Sequence, residues 1–274
     1  MSAAAWLAAV QDIARAAGKR VMDVYVQPDF DVRLKADDSP LTEADHAAHA
    51  CIVERLRALS PELAVLSEED ADIPWAERQG WTRYWLVDPL DGTKEFIQRN
   101  GEFTVNIALV ESYRPVLGVV YAPALGRMYF AAEEQGAWLQ VGDAEPQRIR
   151  VSGRAPGKTW RVVGSRSHAG DTLNGLLECL GDCSLVPMGS SLKLCLVAEG
   201  SAHLYPRLGP TSEWDTAAAQ CIVEQAGGRV VTEALTPLEY NRKDSLLNPH
   251  FIVSAGPVSD WADCLHTARA KVSP

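Results

Sequence analysis

Asp88-Pro89-Leu90-Asp91-Gly92-Thr93-Lys94-Glu95-Phe96 gathers two carboxylates, a proline of fixed φ and a glycine into nine residues. The apolar run before it, Tyr84-Trp85-Leu86-Val87, reads as a strand. Asp88 is therefore expected at a strand's carboxyl end, where open α/β sheets hold their ligands. Pro89 fixes one dihedral and Leu90 carries the chain round, so that Asp91 faces the same point as Asp88. Gly92 permits close backbone approach, and the amides of Gly92 and Thr93, at the opening of a short helix, point at an anion. The stretch predicts a place where a metal ion and a phosphate meet.

Outward from it, three further segments bring oxygen ligands to strand ends or helix starts: Thr42-Glu43-Ala44-Asp45, Ser67-Glu68-Glu69 and Glu213-Trp214-Asp215. No matching cluster of histidine or cysteine accompanies them. Hard oxygen donors without imidazole or thiolate select Mg²⁺ or a similar ion over zinc or copper.

The chain has 274 residues, long enough for one large domain or two subdomains sharing an interface, and two subdomains are expected. With 47% hydrophobic and 23% charged residues it has the balance of a soluble globular protein, and no run is long enough to span a membrane. The N-terminal sequence lacks the basic and long apolar regions of a signal peptide, so a cytoplasmic location is expected. Lys and Arg number 26 against 36 Asp and Glu, a net charge of −10, which argues against a nucleic-acid polymer as partner. A phosphorylated substrate would be repelled at long range unless bound cations reverse the local sign. The six cysteines, scattered among mostly apolar neighbours with no Cys-x-x-Cys pair, read as buried free thiols.

Apolar residues at Trp6, Val10, Ile13, Ala17, Val21 and Val24 follow helical spacing, and a second helix is expected after Thr42, with Ala48, Ile52 and Leu56 facing inward. A short buried strand at 64–67 delivers Glu68. From 103 to 139 four strands separated by Gly- or Pro-bearing turns predict an antiparallel meander. The polar stretch 142–157 is the expected boundary, giving an N-terminal α+β part (1–150) and a C-terminal α/β part (151–274). In the latter, strands at 161–164, 184–187, 203–205, 229–232 and 250–254 alternate with helices at 172–180, 192–198, 214–226 and 259–270.

The segments "LSEED", "DPLDGTKEF" and "EWDTAAAQCIVEQAGG" resemble the signatures of the inositol monophosphatase-like superfamily of Mg²⁺-dependent, lithium-sensitive phosphatases. More narrowly, the Thr93-Lys94-Glu95-Phe96 run, "GSSLKLCLVAEG" and "AHLYPRLGPTSEWD" are similar to its bacterial CysQ branch, the 3'(2'),5'-bisphosphate nucleotidases. Three separated motifs in the right order are far more specific than any one alone. The resemblance implies an α/β fold, a layered α-β-α-β-α sandwich of the inositol monophosphatase/fructose bisphosphatase type. It implies hydrolysis of the 3'-phosphate of 3'-phosphoadenosine 5'-phosphate (PAP) to AMP, with the sulfated analogue PAPS going to APS, in sulfur assimilation. Two or three Mg²⁺ ions are implied on Glu68, Asp88, Asp91, Asp215 and the Leu90 carbonyl. Asp45 and Thr93 would activate water, Gly92 and Thr93 amides would hold the scissile phosphate, and His168, Ser190, Lys193 and Arg207, with Asp215, would surround the nucleotide. The expected partner is a small bisphosphate nucleotide and the expected assembly a monomer or homodimer, with peripheral attachment to the inner membrane left open. An inositol monophosphatase or other small sugar-phosphate phosphatase is the alternative.

Each residue also has a plainer reading. Asp45 completes a capping box with Thr42, Glu68 and Glu69 are solvated loop charges, Asp215 is a helix N-cap beside a buried indole, and Arg207 forms a surface salt bridge. His168 is a solvated loop histidine. Lys193 fits a structural role poorly, because a cation at a helix start opposes the helix dipole and a bound phosphate there would resolve the conflict.

Overall fold

The computed structural model describes residues 2–28, 32–34, 40–164 and 170–272, with only the backbone of 32–34, 40–42 and 272. In chain order the elements are α1 (Ala3–Tyr25), β1 (Val32–Leu34), β2 (Pro40–Thr42), α2 (Glu43–Leu59), β3 (Ala64–Ser67), α3 (Trp75–Arg78), β4 (Arg83–Asp91), α4 (Thr93–Ile97), β5 (Thr104–Glu111), β6 (Arg114–Ala122), β7 (Arg127–Ala132), β8 (Gly136–Val141) and β9 (Gln147–Ile149). They continue as β10 (Trp160–Gly164), α5 (Asp171–Leu180), β11 (Cys183–Pro187), α6 (Leu192–Ala198), β12 (Leu204–Arg207), α7 (Ala217–Gln225), β13 (Arg229–Thr232), β14 (Phe251–Ser254) and α8 (Ala262–Val272).

Strands β3 to β9 lie side by side in chain order as a seven-stranded sheet, antiparallel except for the parallel β3/β4 pair. A five-stranded mixed sheet has the order β11-β10-β12-β14-β13, with β10 parallel to both β11 and β12. Three apolar cores fill the spaces between layers. The first joins α1 and α2 to one face of the large sheet through Trp6, Val10, Ile52, Trp85 and Ile107. The second packs α6 and α7 between the two sheets, and the third sets α5 and α8 against the outer face of the small sheet. This is the α-β-α-β-α sandwich.

One contact fixes the middle layer. A Cβ on Gly118 of β6 would stand 2.1 Å from the carbonyl oxygen of Ala218 on α7. The helix rests directly on sheet backbone there, and no side-chain movement can make room. Gly118→Ala is expected to cost ~3 kcal/mol, seen in calorimetry as a Tm lowered by roughly 6–12 °C for a chain of this size. A change of a degree or two would mean that α7 can back away.

Several sequence expectations need correction. Cys179 on α5 and Cys264 on α8 form a disulfide, their Cα atoms 5.3 Å apart, whereas Cys51, Cys183, Cys195 and Cys221 are free. A sequence separation of 85 residues hid the pair, since only the packing of α5 on α8 joins it. β9 lies inside the stretch read as a linker. The helix expected over 214–226 begins at Ala217, after a 3₁₀ turn Glu213–Asp215. β4 does not stop at Asp88 but continues to Asp91, with a bulge against β5 between the two. The Thr42 side chain lies outside the described residues, so its part in a capping box is undescribed; α2 does start at the next residue. Among the described residues no helix is long and apolar enough to cross a membrane.

Candidate active site

The bulge in β4 shapes the centre of the site. Pro89 has no N–H for the ladder, and pairing lapses between Asp88↔Asn106 and Asp91↔Thr104. The freed Leu90 N–H donates to Asp88 Oδ1 at 3.0 Å, closing a local turn. Gly92 then turns the chain with φ 90°, a left-handed conformation that L side chains resist, and α4 begins at Thr93. A Cβ on Gly92 would meet the Glu102 carbonyl oxygen at 3.2 Å and Ser190 Cβ at 3.3 Å, so space also favours glycine. Thr93 Oγ1 donates to the Leu90 carbonyl at 3.4 Å.

Asp215 reaches the same point from the other half of the chain. It occupies the third position of a capping box, its Oδ2 accepting the Ser212 N–H at 2.9 Å while Ser212's side chain returns the bond. It is therefore not the N-cap itself, which is Ser212. Carboxylate oxygens of Asp88, Asp91 and Asp215 all lie within 4.8 Å of one another. This group can coordinate a divalent metal.

The electrostatics follow from crowding. Burial, then the charges of Glu68, Asp91 and Asp215, push the Asp88 carboxyl well above its usual range, and Glu68 also hydrogen-bonds it. Asp215 is pushed up to about 8 by burial and then by Asp91, against the opposing Ser212 amide. Asp91 reaches only about 6, because burial is countered by Lys193 and by the Ser191 N–H. That amide donates to Asp91 Oδ2 at 2.5 Å. Without a cation the cluster holds on to protons that isolated carboxyls would release.

Between about pH 4 and pH 8 the folded chain binds these protons more tightly than the unfolded chain, so their stabilising contribution is whole at low pH and is lost as pH rises to about 8. A divalent cation that replaces the protons offsets that loss. The rise in Tm on adding Mg²⁺ should therefore be small near pH ~5.5 and grow toward pH ~8, by roughly 2–4 °C per pH unit for each proton displaced. Thermal melts with and without Mg²⁺ across this range test it, and a flat difference would count against a proton-loaded cluster.

Two cations stand beside the carboxylates. Lys193, near the start of α6, donates from Nζ to the Ser190 carbonyl at 3.2 Å, and burial lowers its pKa, with Arg207 adding to the effect and Asp91 opposing it. Arg207, at the end of β12, donates from Nη2 to the Pro210 carbonyl at 2.6 Å, while its buried Nε has no hydrogen-bond partner among the described residues. Both line a small recess that also includes Asp91, Asp215 and Ser190, and both line the adjoining cavity of about 680 Å³ bounded by Gly164, Gly170, Leu173 and Tyr205. Ser190 is buried with φ 47°. Asp45 is buried in the first turn of α2, outside the three-carboxylate group, and Glu68 follows β3 directly. His168 lies outside the described residues.

Sequence reasoning missed the polar support of Asp91. Thr104 and Asn106 are both buried on β5. Ser191 Oγ lies 2.8 Å from Thr104 Oγ1 and donates to Asn106 Oδ1 at 2.9 Å. Two polar residues at buried positions of β5, whose other buried positions are all apolar, were the available signal, since buried polar side chains need partners.

Comparison with known proteins agrees with this geometry. A model of the family described as "Inositol monophosphatase family" matches residues 3–271. The chain is 53% identical over 247 residues to the 3'(2'),5'-bisphosphate nucleotidase CysQ of Salmonella typhimurium, covering 89% of this chain and 98% of that protein. The crystal structure of CysQ from Bacteroides thetaiotaomicron, a bacterial member of the inositol monophosphatase family, superposes with a TM-score of 0.77 at 42% identity, covering 90% of this chain and 96% of the other. An IMPase of Thermotoga maritima gives 0.76 at 26% identity over 96% and 97%. With its sandwich, its acidic cluster and this likeness along nearly its whole length, the chain belongs to the inositol monophosphatase family and is within it a strong match to the bacterial CysQ type.

Proposed function

We propose that this protein is a Mg²⁺-dependent 3'(2'),5'-bisphosphate nucleotidase that hydrolyses the 3'-phosphate of PAP to give AMP and inorganic phosphate, and by the same chemistry takes PAPS to APS in sulfur assimilation. The observation that carries this reading is the joining of a carboxylate cluster to two cations, Lys193 and Arg207, along one recess. A substrate with one phosphate needs the first; a second phosphate needs the second. The CysQ relatives carry the same activity in their names.

The donor set suits a hard cation, being all oxygen and short of counter-charge. In this reading Glu68, Asp88, Asp91, Asp215 and the Leu90 carbonyl hold two or three Mg²⁺ ions. When bound, the ions supply Lewis acidity and charge neutralisation for in-line displacement at phosphorus. Asp45 and Thr93 orient the attacking water and take its proton. The Gly92 and Thr93 amides hold the scissile phosphate, and Ser190, Lys193, Arg207 and His168 hold the nucleotide. Little covalent chemistry is asked of the chain, since positioning and electrostatics carry phosphoryl transfer.

We also divide the chain near residue 150, where the seven-stranded sheet ends at Ile149 and the small sheet starts at Trp160. Phosphate release from PAP, PAPS, inositol monophosphates and fructose bisphosphate, each with Mg²⁺, tests the reading. The bisphosphate nucleotides should be turned over with the highest kcat/KM. Preference for inositol monophosphate would reassign the chain to the small sugar-phosphate phosphatases.

A further inference from the structure

Asp45 and Glu68, assigned above to water activation and ion binding, stand on separate elements. A side-chain pair ties those elements together. His49 lies one helical turn beyond Asp45, on the same side of α2. Its Nδ1 is 2.8 Å from Oγ of Ser67, the residue immediately before Glu68.

Ser67 is an anchored point. It is 1% exposed and forms the last rung of β3, opposite Val87 on β4. Its carbonyl accepts the Asp70 N–H at 3.0 Å, and the following Glu68 N–H donates to the Val87 carbonyl at 3.1 Å. The backbone at 67–68 is thus held to β4 on one side, and through the Ser67 hydroxyl to α2 on the other. Neighbouring strand side chains leave opposite faces, so Ser67 can face the helix while Glu68 faces the carboxylates. A hydroxyl buried this deeply requires a partner, and the imidazole supplies it.

We infer that His49 is a positioning residue, which through Ser67 sets the spacing between the first turn of α2 and the end of β3, and so the placement of Asp45 relative to Glu68 and the Asp88–Asp91–Asp215 cluster. The inference rests on the roles proposed above for Asp45 and Glu68. His49 touches no substrate and supplies no ligand. Its effect arises because displacing a reacting group by about 1 Å slows a reaction on the order of 10²-fold.

The test uses His49→Ala, His49→Asn, Ser67→Ala and the Ala double variant, all in the full chain. Mg²⁺ affinity is measured by calorimetry without nucleotide, and kcat and KM with PAP. His49→Ala should lower kcat by ~10–100-fold, leave KM within about twofold and weaken Mg²⁺ binding measurably. Asn, whose side-chain oxygen can stand where Nδ1 stood, should restore most of kcat and of the Mg²⁺ affinity. Ser67→Ala should reproduce the loss, and the double variant should be no worse than either single one. Undiminished kcat and Mg²⁺ affinity in both single Ala variants would overturn the inference, as would losses that add in the double variant or a failure of Asn to restore. If His49→Ala does not fold, Ser67→Ala and His49→Asn decide by the same criteria. Wild-type protein that binds no Mg²⁺ would overturn the functional reading itself, and this inference with it.

Discussion

Asp91→Asn should abolish nearly all turnover while leaving the fold intact. The fold is expected to survive because the Asn side-chain oxygen can still accept the Ser191 N–H, and the volume is unchanged. Catalysis should not survive, because a neutral oxygen replaces a carboxylate that shares one point with Asp88 and Asp215. Losing that charge removes several kcal/mol of stabilisation at the reacting phosphate, so about 4 kcal/mol, or ~10³-fold in rate, is the expected scale. Phosphate release at saturating Mg²⁺, alongside a thermal melt, measures both. Substantial activity in a natively melting variant would move the site away from β4.

Removing the cations should separate two kinds of substrate. Arg207→Ala deletes a guanidinium whose Nε has no hydrogen-bond partner among the described residues, the condition of a donor that a ligand oxygen would satisfy. A charge-assisted contact to a second phosphate contributes ~1.5–3 kcal/mol, so kcat/KM for the bisphosphate nucleotide should fall by roughly 10–150-fold. A monophosphate that reaches only the carboxylate cluster should lose much less. Lys193→Ala should be less selective, because its ammonium also offsets the charge of Asp91 and its removal disturbs the cluster itself. Steady-state kinetics on both substrate classes decide this. Equal losses for Arg207→Ala would assign it to structure.

The local parts of this site were legible in the sequence. An apolar run leading to Asp88, the Pro89 gap and the Gly92 turn are consequences of neighbouring residues, and the chain folds there much as they dictate. So is the end of β3 before Glu68. The strand end was misjudged because pairing across a bulge depends on β5, which lies beyond the motif. The polar brace from Thr104, Asn106 and Ser191 to Asp91 joins positions about a third of the chain apart, and periodicity carries no such information. The disulfide failed for the same reason, since spacing reveals a pair only when the fold is already known. Asp215 was readable as a candidate, but its place in a capping box depended on where the 3₁₀ turn gave way to α7.

The carboxylate cluster draws two members from the large sheet and the third from the turn before α7, the helix that rests on Gly118. During synthesis, at roughly 5–20 residues per second, β4 therefore leaves the ribosome well before Asp215 is made. A nascent chain carries Asp88 and Asp91 without the carboxylate that completes the group, and a prematurely released one never acquires it. The three-carboxylate group is therefore assembled only once the C-terminal part of the polypeptide has been made and has docked on the large sheet.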